Sequence, residues 1–180
     1  MKGVLFAAIA LALATSAWAQ SKTPNRTTQS GSADLEFILA AAQGGMAEVE
    51  LGKVAVQQGT SEEVKKFGQR RVTDHSKGGD ELKAIAEQRG ITLPSDLDTK
   101  DKALMTRLSK LHGASFDRTY MRSMVSDHKE DVAEFRRESM SGKDPEMKAW
   151  AARMLPTLED HLKEAETANK TSASKTGAAN

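Results

Sequence analysis

Apolar residues recur every three or four positions through the middle of this chain, and this spacing is the feature that most restricts its fold. No segment between residues 34 and 168 alternates apolar and polar residues, as a half-buried strand would. A period near 3.6 places the apolar residues on one face of a helix, and that face must be buried against other helices. The sequence therefore predicts an all-α fold.

Turn and capping signals divide this region into four long helices. Gly59 ends the first, Ser61 with two following glutamates starts the second, and Asp144-Pro145 starts the fourth. Very short loops make hairpins of helices one and two and of helices three and four, whereas 91–113 is long enough to cross the bundle and holds a short helix near 99–111. We expect a ferritin-like four-helix bundle of two helical hairpins joined by a long crossover. The predicted long helices span about 34–58, 60–90, 115–140 and 144–168.

The first 19 residues have the pattern of an export signal. Lys2 precedes an apolar run from Val4 to Ala14, and Ala17-Trp18-Ala19 fits the small-x-small rule for cleavage before Gln20. The run is shorter than the roughly 20 residues that span a bilayer. We therefore expect a periplasmic or secreted protein, without an integral membrane segment after cleavage and with an envelope protein as its class of partner.

Polar, Ser/Thr-rich segments flank the predicted bundle. They cover 20–32 and 169–180 and show no periodicity, which predicts a disordered linker and a disordered tail around a bundle domain at 33–168.

Charge and cysteine content exclude several classes of function. Lys2 is one of 26 basic residues and the only charged residue before Gln20, so the rest balances 25 basic against 25 acidic residues. That balance, without a basic run, argues against nucleic-acid binding. The absence of cysteine excludes disulfides, thiolate catalysis and thiolate metal ligands.

Each predicted apolar stripe is interrupted by one residue of a type that binds metals. These residues are Glu48, His75, His128 and His161, and Asp131 lies one turn beyond His128. Counting from the shared loop, His128 and His161 differ in height by about 7 Å at 1.5 Å per residue, a gap that side-chain reach and helix tilt must close. Because the apolar stripes face the interior of the bundle, they predict that the four side chains meet in the core.

Three neutral imidazoles and one carboxylate form a ligand set suited to zinc, copper, iron or manganese. Asp74 and Asp131 would support such a site from outside the ligand set. A ferritin-type di-iron centre requires repeated Glu-x-x-His motifs. Here the residues three positions before the histidines are Val72, Val125 and Leu158, which argues against that centre.

The same residues admit a second interpretation. In an envelope interaction or stress-response protein, the buried histidines would form only a structural hydrogen-bond network. No pair of nucleophile and base and no phosphate-binding loop is identifiable, so the sequence favours a non-enzymatic role without naming a substrate.

Several other residues are assigned ordinary structural roles. Arg70, Arg71, Arg136 and Arg137 are interpreted as solvated or boundary charges, and His112 as a surface residue. The pairs Gly44-Gly45 and Gly78-Gly79 lie inside helices, where they would permit close packing.

Several motifs occur in a distinctive order along residues 34–166. They are Met46-Ala47-Glu48-Val49-Glu50-Leu51-Gly52-Lys53, Val64-Lys65-Lys66-Phe67, Val72-Thr73-Asp74-His75, Phe116-Asp117-Arg118-Thr119-Tyr120, Asp127-His128, Asp144-Pro145-Glu146-Met147 and Leu155-Pro156-Thr157-Leu158 with His161. This order resembles the bacterial domain-of-unknown-function 4142 family. The resemblance implies a ferritin-like fold and an exported protein without an assigned activity. Its motif positions include Glu48, His75, His128 and His161.

Overall fold

The structure is a computed structural model that describes residues 31–177, with side chains described through Ser172. Within these residues it contains five helices and no strand, which confirms the predicted all-α fold. The predicted export signal and most of the linker lie outside the described residues. None of the helices between Gly31 and Gly177 has the length and apolar content to span a membrane. The helices are α1 (Ser32–Gln58), α2 (Glu62–Gln88), α3 (Thr99–Leu108), α4 (Gly113–Ser141) and α5 (Pro145–Gly177).

The four long helices form two antiparallel hairpins that face each other. α1 packs along α2 and α4 packs along α5, while α2 contacts α5 and α1 contacts α4 between the hairpins. The short loops begin with Gly59 and Gly142, each of which follows a helix and donates its N–H to a carbonyl four residues earlier. The hairpin topology predicted from the sequence is therefore confirmed.

Two apolar clusters fill the bundle, one towards each end. We call the first the Phe67 cluster; it contains Leu51, Phe67, Met124 and Ala165, one residue from each long helix. The second, the Trp150 cluster, gathers other residues of the same four helices: Phe37, Leu82, Val132, Trp150 and Leu158.

A layer of polar residues separates these clusters. Along α2, His75 lies between Phe67 and Leu82, and along α4, His128 lies between Met124 and Val132. α2, α4 and α5 change from one cluster to the other at their buried histidines, His75, His128 and His161, whereas Glu48 of α1 lies between Ala47 and Leu51, both of the Phe67 cluster.

The crossover connects opposite ends of the bundle. Ile91 and Leu93, which follow α2, pack against the Trp150 cluster. Leu104 and Leu108 of α3 pack in the Phe67 cluster, where α4 begins. The predicted end-to-end connection with a short helix is confirmed.

A buried aspartate from each hairpin holds the loop of the other. Asp117 of α4 accepts hydrogen bonds from the backbone N–H groups of Thr60 and Ser61, both at 2.9 Å. Asp34 of α1 accepts from the N–H groups of Lys143 and Asp144, at 2.9 and 2.8 Å. These bonds satisfy loop donors that the helices leave unpaired, and they set the two hairpins against each other.

Glycine permits a close approach of α1 and α2 at one point. A Cβ on Gly68 would lie 2.8 Å from both the Ala55 Cβ and the Gly52 carbonyl oxygen. The two backbones therefore touch here, and a larger residue would force them apart.

The predicted packing role of the two glycine pairs is wrong for three of the four residues. A Cβ on Gly45 or Gly79 would meet no atom within 4 Å, and one on Gly44 would meet only an Asp131 oxygen at 4.0 Å. Gly78 fits the prediction, because its Cβ would lie 2.8 Å from the Met154 methyl group.

The last helix is longer than the sequence indicated. α5 continues to Gly177, past the predicted boundary at residue 168. The Thr167 and Thr171 hydroxyls donate to the carbonyl oxygens of Lys163 and Thr167, at 2.8 and 3.1 Å, so these polar residues bond within the helix rather than ending it.

Candidate metal centre

The polar layer brings together three histidines from three helices. His75 of α2, His128 of α4 and His161 of α5 each offer one ring nitrogen, and these nitrogens lie within 4.8 Å of one another. The ring centroids are 5.5 to 5.9 Å apart, and all three residues are buried. The height difference counted along the sequence between His128 and His161 therefore does not keep their rings apart.

His161 is oriented by a carboxylate on α2. Its Nε2 lies 2.8 Å from Asp74 Oδ2, and a carboxylate accepts hydrogen bonds, so Nε2 carries the proton. Nδ1 then holds the lone pair, and this buried atom has no hydrogen-bond partner. Metal-binding histidines commonly have this arrangement, with one nitrogen on a carboxylate and the other free to ligate.

His128 is oriented by its own helix. Its Nδ1 lies 2.9 Å from the Met124 carbonyl oxygen, so Nδ1–H is the donor and Nε2 holds the lone pair. Nε2 accepts a hydrogen bond from Nη1 of Arg71. Glu48 lies on the Nδ1 side, with its Oε1 3.6 Å away.

His75 has a free nitrogen as well. The residue is 8% exposed and its Nε2 has no hydrogen-bond partner. Burial and the nearby Arg71 charge lower the pKa of His75 well below its ordinary value and that of His128 to about 3. Both rings are therefore neutral near pH 7, and neutral imidazole is the form that binds metals.

Glu48 and Asp131 form a second group around His128. One oxygen of each and one His128 nitrogen lie within 4.8 Å of one another. Burial raises the pKa of Glu48 to about 8, partly offset by Arg71, and raises that of Asp131 to about 7. Glu48 Oε2 is buried without a partner.

The predicted site residues therefore occupy two groups that share His128. His75, His128 and His161 form one, while Glu48 and Asp131 join His128 in the other. Asp74 bonds to His161, a histidine of another helix, rather than to its sequence neighbour His75.

Arg71 is the residue that sequence reasoning misplaced. The sequence predicts a solvated or boundary charge, but Arg71 is 0% exposed and contacts His128. Its guanidinium lies 4.5 Å from the centroid of the Phe67 ring, and Nε and Nη2 are buried without hydrogen-bond partners. Burial lowers its pKa to about 10, with Glu48 acting in the opposite direction. Its position four residues before His75, on the same helix face, was the available signal.

The other predicted surface residues lie outside the polar layer. His112, Arg136 and Arg137 are exposed. Arg70 bonds to Asp74 and to Glu164 at the bundle surface.

A cavity of about 610 Å³ reaches the polar layer from the surface. His75 and Asp131 line it, together with Gly44, Gly45 and Gly79, and it extends to Trp150 in the second apolar cluster. His75 and Asp131 thus connect the two groups of candidate ligands with the outside of the bundle.

The fold resembles solved structures of low sequence identity. A crystal structure of a DUF305 fragment from Deinococcus radiodurans is 14% identical with a TM-score of 0.70, covering 79% of this chain and 98% of that one. CopM in the Cu(I)-bound form is 18% identical with a TM-score of 0.66, covering 77% and 96% of the two chains. CopM in the Ag-bound form obtained by co-crystallization is 18% identical with a TM-score of 0.64 and the same coverage. At these identities the likeness shows a shared helical fold. No curated protein matches the chain.

A family model matches most of the chain, from residue 19 to residue 168. That range contains the sequence motifs described above and every residue of the polar layer. The chain therefore belongs to the DUF4142 family, a domain of unknown function.

Proposed function

We propose that this protein is an exported four-helix bundle that binds one transition metal ion in its polar layer. The observation that carries the proposal is the convergence of three buried histidine nitrogens, from three helices, within 4.8 Å. Burying polar atoms without partners is costly, and the free nitrogens of His75 and His161 are such atoms. A bound cation would satisfy both.

The ligands of the proposed site are Nε2 of His75, Nε2 of His128 and Nδ1 of His161. Arg71 Nη1 occupies the His128 nitrogen, so metal binding requires the guanidinium to withdraw. Glu48 has an unpaired oxygen, and burial keeps its carboxyl protonated near pH 7. Loss of that proton on metal binding would make Glu48 the acceptor of the displaced guanidinium or an additional ligand. Asp131 supplies a further carboxylate beside His128.

Copper is the first metal to test, and zinc, iron and manganese follow. Imidazole is a good ligand for copper, zinc and iron, whereas manganese prefers carboxylates such as Glu48 and Asp131. CopM structures with Cu(I), Cu(II) and silver share the helical fold. A metal on three imidazoles would leave an open coordination position, where small molecules or electrons could be exchanged.

Export is a separate part of the proposal, because it rests on residues 1–19 and not on the histidine cluster. The pattern at residues 1–19 directs the protein to the periplasm or beyond, where it would act alone or with an envelope protein. Mass determination of the protein recovered from the periplasm of an expressing bacterium tests this, with cleavage after Ala19 as the expected result.

Arg71 favours one alternative function. A guanidinium already places positive charge beside His128, so the layer can be a structural network without metal in an envelope interaction or stress-response protein. That version requires the protein to bind no stoichiometric metal.

Metal analysis of the untagged protein distinguishes the two. We expect about one equivalent of copper or zinc by plasma mass spectrometry after loading and desalting, and loss of that metal in the His75→Ala/His128→Ala variant. His112→Ala is the matched control, since this histidine is exposed. Metal content unchanged in the double variant, or none after any loading, would contradict the proposal.

A further inference from the structure

The cavity beside α1 and α2 is unusual in the residues that keep it open. Gly44, Gly45 and Gly79 line it, and the space around each would accept a Cβ without a contact closer than 4 Å. Glycine inside a helix destabilises it relative to alanine, because the unfolded chain gains more freedom. Close packing does not account for these three glycines. What they share is that each leaves the cavity between the helices open.

A buried histidine stands at the inner end of this space. His75 lines the cavity, is more than nine-tenths buried and has an unpaired Nε2. Among the three clustered histidines, it is the one that lines the cavity. A ligand that reaches the cluster along this path therefore meets His75 first.

The charge of the cavity favours a cation. Lys83 is the one cationic residue that lines it. Five acidic residues line it as well: Glu50, Asp80, Glu87, Asp131 and Glu134. Glu50, Glu134 and Glu87 pair with Lys53, Arg137 and Lys83 at the surface, and such exposed pairs contribute little to stability. A surplus of carboxylates along a partly apolar wall concentrates cations.

We propose that this glycine-lined cavity is the access route by which the metal ion enters and leaves the histidine cluster. The inference rests on the proposed metal binding and names the path and the residues that control its rate. The ion passes Gly45 and Gly79 at the opening, reaches His75 and Asp131, and then recruits His128 and His161.

A plug added after folding tests the route without disturbing the fold. The chain has no cysteine, so Gly79→Cys gives a single thiol at an exposed position of the opening. A bulky maleimide attached there would fill the opening. Ala84→Cys is the matched control, because Ala84 is exposed on the same helix and does not line the cavity.

Zinc is the probe, and its transfer to and from a chromophoric chelator is followed by stopped flow. We expect labelled Gly79→Cys to load and release zinc at least about tenfold more slowly than before labelling, because the ion must wait for local opening of the helices. Zinc stoichiometry and affinity stay the same, since a blocked path slows both directions equally. Labelled Ala84→Cys keeps the rates of its unlabelled form.

Two results would overturn the inference in distinguishable ways. Stoichiometric zinc with unchanged rates after labelling Gly79→Cys would refute the route and leave the metal site in place. Absence of bound zinc and of every other loaded metal in the unlabelled and wild-type proteins would refute the metal site and the route together. Gly45→Leu, on the opposite helix, is the second variant, and its loading rate must fall in the same way.

Discussion

Replacing Glu48 by glutamine should change how the stability of the metal-free protein depends on pH. Burial, opposed in part by Arg71, raises the pKa of this carboxyl from 4.5 to about 8 in the folded protein. Between these values the folded state holds a proton that the unfolded state has released. The folded state then binds more protons, so the contribution of Glu48 to stability is full below pH 4.5 and is lost as the pH rises towards 8.

The size of this loss follows from the shift. Each unit of pKa difference corresponds to about 1.36 kcal/mol, so raising the pH from 4.5 to 7 removes about 3 kcal/mol from the free energy of unfolding of the wild type. Glutamine does not titrate. The stability of Glu48→Gln minus that of the wild type should therefore increase by about 3 kcal/mol over this interval.

Urea unfolding followed by circular dichroism, with chelator present, measures this difference at several pH values. Glu36→Gln is the control, because Glu36 is an exposed glutamate of the same helix and its difference from wild type should stay nearly constant. A Glu48→Gln difference that is constant or decreases with pH would refute the conclusion that this carboxyl is buried without adequate compensation.

Four further substitutions test the packing and the polar layer. Asp117→Ala should lower the free energy of unfolding by about 2–4 kcal/mol in urea titrations, because the Thr60 and Ser61 N–H groups lose a charged acceptor; a loss no larger than that of exposed Asp80→Ala would contradict this. Gly68→Ala should destabilise by about 1–3 kcal/mol through its contact with Ala55. Gly79→Ala should instead raise the free energy of unfolding by about 0.5–1 kcal/mol. If both glycine substitutions changed the free energy of unfolding in the same direction, the distances between the helices described here would be wrong. Arg71→Met should raise metal affinity at least about tenfold in calorimetric titrations, since it removes a competing cation from His128; weaker binding by a folded variant would show that Arg71 supports the ion.

Helical spacing was enough to predict the architecture and four of the residues that lie in the polar layer. The stripes placed Glu48, His75, His128 and His161 inward because each lies three or four residues from apolar neighbours. Whether they share one ligand set was beyond this reasoning, since it depends on ring orientation. Asp74 and Met124 determine that orientation for His161 and His128.

The features that sequence reasoning missed depend on contacts between distant segments. Arg71 has the helical spacing of a core residue. A guanidinium is rarely buried, however, so the residue type predicts exposure where the position predicts burial. Asp34 and Asp117 resemble ordinary helix-start residues until the loop that each holds is known. The glycines at 45 and 79 share a spacing with Gly52 and Gly68, yet only the three-dimensional gap between helices shows that they border open space.

Long-range nitrogen–proton NMR of the histidine rings, recorded on the ¹⁵N-labelled protein with and without one equivalent of zinc, shows whether the metal binds in the bundle core. We expect zinc to shift the resonances of Nε2 of His75, Nε2 of His128 and Nδ1 of His161, while His161 keeps its proton on Nε2 and His112 is unchanged. Unchanged spectra of the three buried rings, or zinc bound at His112 alone, would contradict a metal centre in the bundle core.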